Sequence, residues 1–201
     1  MTTPPIAEVD LLLSSKSPRR RELLQQIGVR FKCISVDVPE QRQESEEAEA
    51  YVCRLAQSKA QAGYTAAPEL KIPALGSDTI VVCDESVLEK PHDEQHAIEM
   101  LCTLAGRSHR VITAVALCDA HACETVCSIT EVKFRAISEH EARRYWLSGE
   151  PADKAGAYGI QGLAAVFVES ITGSYSAVVG LPLFETHQLL ERFNVPVWKQ
   201  N

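Results

Sequence analysis

Asp78 lies in Leu75-Gly76-Ser77-Asp78-Thr79-Ile80-Val81-Val82, a strand-like run whose side chains alternate between two faces. The alternation puts its carboxylate on one face with Gly76, Ile80 and Val82. A carboxylate among apolar neighbours is costly unless a cation or hydrogen-bond donors meet it. Metal ligand, general base, or both would suit it. A turn cap at a strand end is the plainer alternative, and the β-branched residues continuing through Val82 weaken it. Gly76 alongside would leave room for a ligand to approach.

Residues 14–22, Ser-Ser-Lys-Ser-Pro-Arg-Arg-Arg-Glu, carry a second kind of chemistry. Ser17 is a natural N-cap and Pro18 fits the first helical position, which needs no amide proton. Arg19, Arg20 and Arg21 follow, where the positive end of a helix ordinarily favours acidic side chains. Three cations at such an end lack an anion, and a phosphate would supply it through free amides and guanidinium forks. A solvated basic turn is the alternative.

Lys59 follows Val52, Leu55 and Ala56 at helical spacing and borders an apolar face. It would either snorkel to solvent or point its ammonium at a phosphate. Lys90, before Pro91, has the same two readings. Glu40 lies in a polar loop and gains a role only if the fold brings it near Asp78, where two carboxylates could share a Mg²⁺. In Asp153-Lys154-Ala155-Gly156-Ala157-Tyr158-Gly159-Ile160-Gln161-Gly162 a glycine recurs every third residue, which suggests tight backbone near a ligand or a bent strand. The segment has neither a dinucleotide fingerprint nor a P-loop. Gln161 offers one donor and one acceptor, matching the imide edge of uracil or thymine, but a rotated amide would match cytosine too.

The elements that must position these groups follow from periodicity. Strands are expected at 9–14, 31–36, 74–83, 86–89, 108–118, 124–135 and 164–171. Helices are expected at 18–27, closed by Gly28, at 46–62, stopped by Gly63, and at 93–104, 139–148 and 182–193. Strands intermix with helices, and the hairpins exclude a purely parallel sheet. A mixed α/β sheet flanked by helices is the natural architecture.

The whole chain of 201 residues suits one well-buried α/β domain. Its net charge of −7 argues against a general nucleic-acid surface, so a basic cluster within it points to a small anionic ligand. No apolar run is long enough to span a bilayer, and the first residues lack the pattern of a signal peptide. Seven scattered cysteines make a disulfide framework unexpected and favour a reducing cytoplasm. Cys118, His121, Cys123 and Cys127 fall close together, but without a paired Cys-x-x-Cys they read as an ordinary hairpin tip rather than a zinc site.

Taken together, the chain resembles the Maf family of nucleoside-triphosphate pyrophosphatases over residues 9–193. Seven motifs in order carry the resemblance: Ser-Lys-Ser-Pro-Arg-Arg (15–20), Glu-Gln-Arg (40–42), Leu-Ala-Gln-Ser-Lys-Ala (55–60), Gly-Ser-Asp-Thr (76–79), Glu-Lys-Pro (89–91), the 153–162 segment and Val-Gly-Leu-Pro-Leu (179–183). Arg19, Thr79 and Gln161 match the dTTP/UTP subgroup; the 7-methyl-GTP subgroup carries Ser-Pro-Trp-Arg, Gly-Ser-Asp-Gln and Ser-Glu-Gly instead. Lys16 departs from the small residue common in the family and adds charge beside the phosphate loop.

The resemblance implies an elongated mixed, partly antiparallel twisted sheet flanked by helices around a central cleft, as in Maf and inosine-triphosphatase-like proteins. Residues 1–8 would be an N-terminal extension, 9–193 a single domain and 194–201 a C-terminal tail. It further implies hydrolysis of dTTP and UTP to the monophosphate and pyrophosphate, for removal of modified or surplus pyrimidine nucleotides. Asp78 would be catalytic and would hold the metal with Glu40. Ser15, Ser17, Arg20, Lys59 and Lys90 would bind phosphate. Arg19, Thr79 and Gln161 would face the base. A divalent cation, Mg²⁺ or Mn²⁺, a homodimer and a cytoplasmic location are expected, with no nucleic-acid or membrane partner. The rivals are a binding protein that restrains septum formation, which would need no acid–base group, and a purine enzyme such as an inosine triphosphatase.

Overall fold

The computed structural model describes residues 9–199, so the expected extension at 1–8 and the end of the tail lie outside it. The described strands are β1 (Leu11–Leu13), β2 (Phe31–Cys33), β3 (Ala74–Cys83), β4 (Ser86–Leu88), β5 (Ser108–Cys118), β6 (Cys123–Phe134) and β7 (Val168–Thr172). The described α-helices are α1 (Pro18–Gln26), α2 (Ala48–Ala66), α3 (Glu94–Leu104), α4 (Glu139–Trp146), α5 (Tyr175–Val179) and α6 (Leu183–Arg192). The strands form one mixed sheet in the order β2-β1-β3-β5-β6-β7, with β4 paired to β3. β1 runs parallel to β2 and β3, whereas β3–β4 and β6–β7 are antiparallel.

The chain divides into two compact units. The first holds the residues up to Asp78, Thr113–Ser128 and the chain from Gly180 onward; the second holds Thr79–Ile112 and Ile129–Val179. In the first unit, all three residues of β1 are buried, as expected for an interior strand with parallel neighbours. Leu12, Ala67 and Ala74 pack there with Ile34, Tyr64, Leu70 and Ile72. In the second unit, α3 and α4 pack together, and Ile98, Leu101, Leu104, Val132, Phe134 and Phe167 belong to its core. Phe134 meets Tyr158 and His109 edge-on, at ring separations of 4.8 and 4.9 Å, a favoured aromatic geometry.

Three local expectations are corrected. Gly63 does not stop α2: the helix runs on to Ala66, and a Cβ at Gly63 would collide with the Ser14 hydroxyl, so the glycine serves close approach to the end of β1. The expected strand at 164–171 begins as a 3₁₀ turn, Leu163–Phe167, and only Val168–Thr172 pairs with β6. The short helix α5 was not anticipated. Gly28 does close α1, at φ +68°, a conformation that favours glycine.

At the tip of the β5–β6 hairpin Cys118 and Cys123 are joined as a disulfide, and Cys127 faces Cys53 of α2. This one bridge departs from the expectation of free thiols, though it closes only a short turn and builds no framework.

Candidate active site

Of the ten residues of β3, only Asp78 and Thr79 are not buried. The strand therefore surfaces where the sequence places its acid. Lys59 of α2 donates to Asp78 Oδ1 from 2.6 Å and meets Glu40 Oε1 at 2.5 Å. Lys59 and Asp78 side chains are only 11% and 13% exposed, whereas Glu40 is 47% exposed. The three expected site residues thus form one cluster, with an ammonium between two carboxylates.

The reason lies in Gly76. A Cβ there would sit 2.3 Å from the Ala56 carbonyl oxygen, 2.4 Å from the Ala60 nitrogen and 2.9 Å from Lys59 Cβ. The space that the sequence suggested for a ligand is filled by the backbone of α2. Its close approach brings Lys59 to Asp78, two residues along the same face of β3.

Glu40 is held by a loop strapped to the same helix. The buried Tyr51 donates its hydroxyl proton to the Glu40 carbonyl at 2.9 Å, and Arg54 donates to the Gln41 carbonyl at 3.0 Å. Arg54 also makes a two-point contact with Glu46, at 2.6 and 2.7 Å. The Arg54 bonds, helped by the Gln43 amide, hold the Glu46 carboxyl down to about 2. Glu46, Tyr51 and Arg54 were not singled out from the sequence; Glu46 stands just before α2 and eight residues from Arg54, which is not the i, i+3 or i, i+4 spacing of a helical ion pair.

The basic segment folds as expected, with one change. Ser17 occupies the N-cap position of α1, but its hydroxyl does not bond to the helix amides. Its own amide donates instead to Ser15 Oγ at 3.1 Å. Arg20 donates through Nε to the Gly180 carbonyl at 2.8 Å and through Nη1 to Ser15 Oγ at 3.4 Å. Ser77 donates to that same carbonyl at 3.1 Å. Gly180, at φ +131°, is thereby the anchor joining Arg20 to the residue before Asp78. Burial lowers the pKa of Arg20, and Asp78 and Glu40 oppose that shift while Arg19 adds to it. A guanidinium remains charged through such a shift. Ser77 and Gly180 were given no role from the sequence, although each belongs to a matched motif. Arg19 stands half-buried in the first turn of α1.

The other expected residues belong to the second unit. Thr79 follows Asp78 on β3 and is half-buried. Lys90 and Gln161 are both exposed. The Gly156 amide donates to the Glu89 carbonyl at 3.1 Å, which ties the glycine segment to the residue preceding Lys90. Gly156 has φ +66°, and a Cβ there would press on Val81 at 2.9 Å.

Within the described residues no group of three or more His, Cys, Asp or Glu is arranged around a common metal position. The acid–base and cation chemistry gathers at Asp78, Lys59 and Glu40. An ammonium beside a carboxylate both fixes its orientation and offsets charge on an anionic ligand.

A mixed α/β sheet carrying this carboxylate–ammonium cluster, beside a helix that opens with three arginines, has the parts of a phosphate-ester or anhydride hydrolase. The chain belongs to the Maf-like protein family, which it matches over residues 10–193. It is 57% identical over 192 residues to a protein of Saccharophagus degradans named dTTP/UTP pyrophosphatase, covering 94% of this chain and 91% of that protein. Proteins of the same name from Pectobacterium atrosepticum and Shigella sonnei are 56% and 53% identical, each covering over nine-tenths of both chains.

Proposed function

We propose that this protein is a nucleoside-triphosphate pyrophosphatase that hydrolyses dTTP and UTP to the monophosphate and pyrophosphate. The observation that carries the reading is the Asp78–Lys59–Glu40 cluster, standing in a chain more than half identical to proteins named for that activity.

In this reading Asp78 accepts a proton from the attacking water. The water oxygen bonds to phosphorus as the anhydride oxygen between the α and β phosphates departs with the pyrophosphate. Lys59 lies against Asp78 and offsets negative charge that builds on the departing group. Arg20, held by Ser15 and Gly180, and Lys90 neutralise the remaining phosphate charge. Ser15 and Ser17 lie at the start of α1 to bind phosphate oxygens, and Arg19, Thr79 and Gln161 face the base.

The donor set suits a hard divalent cation. Glu40 and Asp78 offer carboxylate oxygens on either side of one ammonium, and a small cation that keeps most of its waters needs few protein ligands. Mg²⁺ or Mn²⁺ held there would polarise the phosphate oxygens and lower the charge of the triphosphate. A homodimer and a cytoplasmic site of action rest on the family resemblance alone; sedimentation of the purified protein tests the former.

The test of the activity is pyrophosphate release with dTTP, UTP, CTP, dGTP and 7-methyl-GTP at fixed Mg²⁺. The reading expects the highest kcat/KM for dTTP and UTP. Release of single phosphates, or a preference for 7-methyl-GTP, would overturn it.

A further inference from the structure

Gln161 is exposed, yet the backbone on both sides of it is tied down by two side chains that lie 16 and 11 residues earlier in the chain. The Gly159 amide donates to the Tyr145 hydroxyl oxygen at 3.1 Å. Tyr145 in turn donates to Glu150 Oε1 at 2.6 Å. The other oxygen of that carboxylate, Oε2, accepts from the Leu163 amide at 2.9 Å, and Oε1 also lies 3.4 Å from the Ala164 amide. A turn from the Gly162 amide to the Gly159 carbonyl, 3.0 Å, closes the loop over Gln161 itself.

We propose that Glu150 and Tyr145 are a positioning pair that fixes the backbone carrying Gln161, and so the place from which its amide reaches the pyrimidine base. The proposal rests on the reading that Gln161 faces the base.

The glycines around Gln161 fit this arrangement. A Cβ at Gly162 would stand 2.2 Å from Glu150 Oε2, and one at Gly159 would stand 2.8 Å from Lys154 Cε. The loop is therefore wrapped on the Glu150 carboxylate and the Lys154 stem, with no space for side chains on the inner side. Lys154 donates to the Glu150 carbonyl at 2.6 Å, which holds the backbone of the clamp as well. Tyr145 comes from α4, whose start is fixed by a reciprocal cap between Ser138 and Glu141. Its ring packs edge-on against Phe167 at 5.3 Å. Burial alone would raise the Glu150 carboxyl; the Tyr145 hydroxyl, the two amides and Lys154 outweigh it and leave the carboxyl below its ordinary range. The carboxylate is thus charged across the neutral range, as an acceptor of several protons must be.

An amide that rotates can satisfy thymine or cytosine equally, so selection needs a fixed Gln161 rather than merely a present one. Two anchored amides, two residues before and two residues after it, fix the backbone from which the Gln161 side chain extends, and so the distance and direction from which its amide meets the base. A small misplacement of a positioned group costs disproportionately in rate. Glu150→Gln replaces one acceptor oxygen with a donor that must face an N–H or O–H. Tyr145→Phe removes the relay while keeping the ring on Phe167.

The experiment measures kcat and KM for dTTP, CTP and dGTP in wild type, Glu150→Gln, Tyr145→Phe, Gln161→Ala and the Glu150→Gln/Gln161→Ala double variant, with melting temperatures for each. In both clamp variants the preference for dTTP over CTP should fall about tenfold, mainly through a raised KM for dTTP, as for loss of one hydrogen-bonded contact to the base. In the Gln161→Ala background, Glu150→Gln should have no further effect on that preference. Tyr145→Phe decides the matter if Glu150→Gln does not fold. If Gln161→Ala loses the preference while the folded clamp variants keep it, the positioning role is overturned and the base reading survives. If Gln161→Ala keeps the preference, the base reading fails and the proposal with it. An additive loss in the double variant would also overturn it, since Glu150 would then act by another route.

Discussion

Lys59 reaches Asp78 with its ammonium 2.6 Å from Oδ1, and it does so because the residue two places before Asp78 has no side chain. Gly76 lets the backbone of α2 lie directly on β3. The same ammonium then collects Glu40 from a loop strapped to α2 by Tyr51 and Arg54. A sequence-local choice, one glycine, sets the spacing of the three groups on which the chemistry depends.

Gly76→Ala should therefore damage both stability and turnover. The added methyl would meet backbone atoms of Ala56 and Ala60 at 2.3 and 2.4 Å, which a side-chain rotation cannot relieve. Overpacking of this kind costs about 1–3 kcal/mol or more, so a clearly lowered denaturation midpoint is expected. A wild-type midpoint with wild-type turnover would mean that the close approach is dispensable.

Lys59→Met should leave Asp78 and Glu40 facing each other without their shared cation. The stem volume is kept, so the fold should persist. Loss of the charge that offsets the departing pyrophosphate is expected to lower kcat by roughly a hundredfold, the scale for removing one electrostatic stabiliser. Steady-state pyrophosphate release measures it. Lys59→Arg should recover only part of the rate, because the longer, bulkier guanidinium with its fixed donor geometry does not fit the place where a compact ammonium sits 2.5 and 2.6 Å from two carboxylate oxygens.

His109 predicts an acid-dependent stability. It is buried, 3% exposed, with Nε2 2.8 Å from the Tyr158 hydroxyl and no partner for Nδ1 among the described residues. Burial lowers its pKa from 6.5 to about 4. The unfolded chain then binds the proton more readily than the folded one between those values, so stability falls as pH drops through that window. About 2 kcal/mol should be lost between pH 7 and pH 5 from this group. Urea midpoints at the two values, compared with His109→Gln, isolate the contribution; an equal loss in the variant would assign it to other groups.

Much of this site was legible because alternation and helical spacing are local signals. Asp78 on β3 and Lys59 on the inner edge of α2 follow from them, as does Gly28 at the end of α1. What the sequence concealed were contacts between distant segments. Gly63 and Gly76 read as a helix stop and a ligand gap, yet both are places where α2 meets β1 or β3. Ser17 reads as a cap, whereas its amide turns to Ser15. Tyr145 and Glu150 have no motif spacing to announce them, because their partners are backbone amides of the glycine segment. Gly180 offers only a carbonyl, which residue type does not reveal.

The most direct measurement is pyrophosphate release from dTTP by Asp78→Asn, which keeps the side-chain volume and removes the basic charge. With the variant folded, as judged by an unchanged circular dichroism spectrum and cooperative melting, the account predicts a fall in kcat of at least about a hundredfold, the scale expected for loss of a general base. Near-normal turnover by the folded variant would contradict the assignment of Asp78 and with it the proposed chemistry of the site.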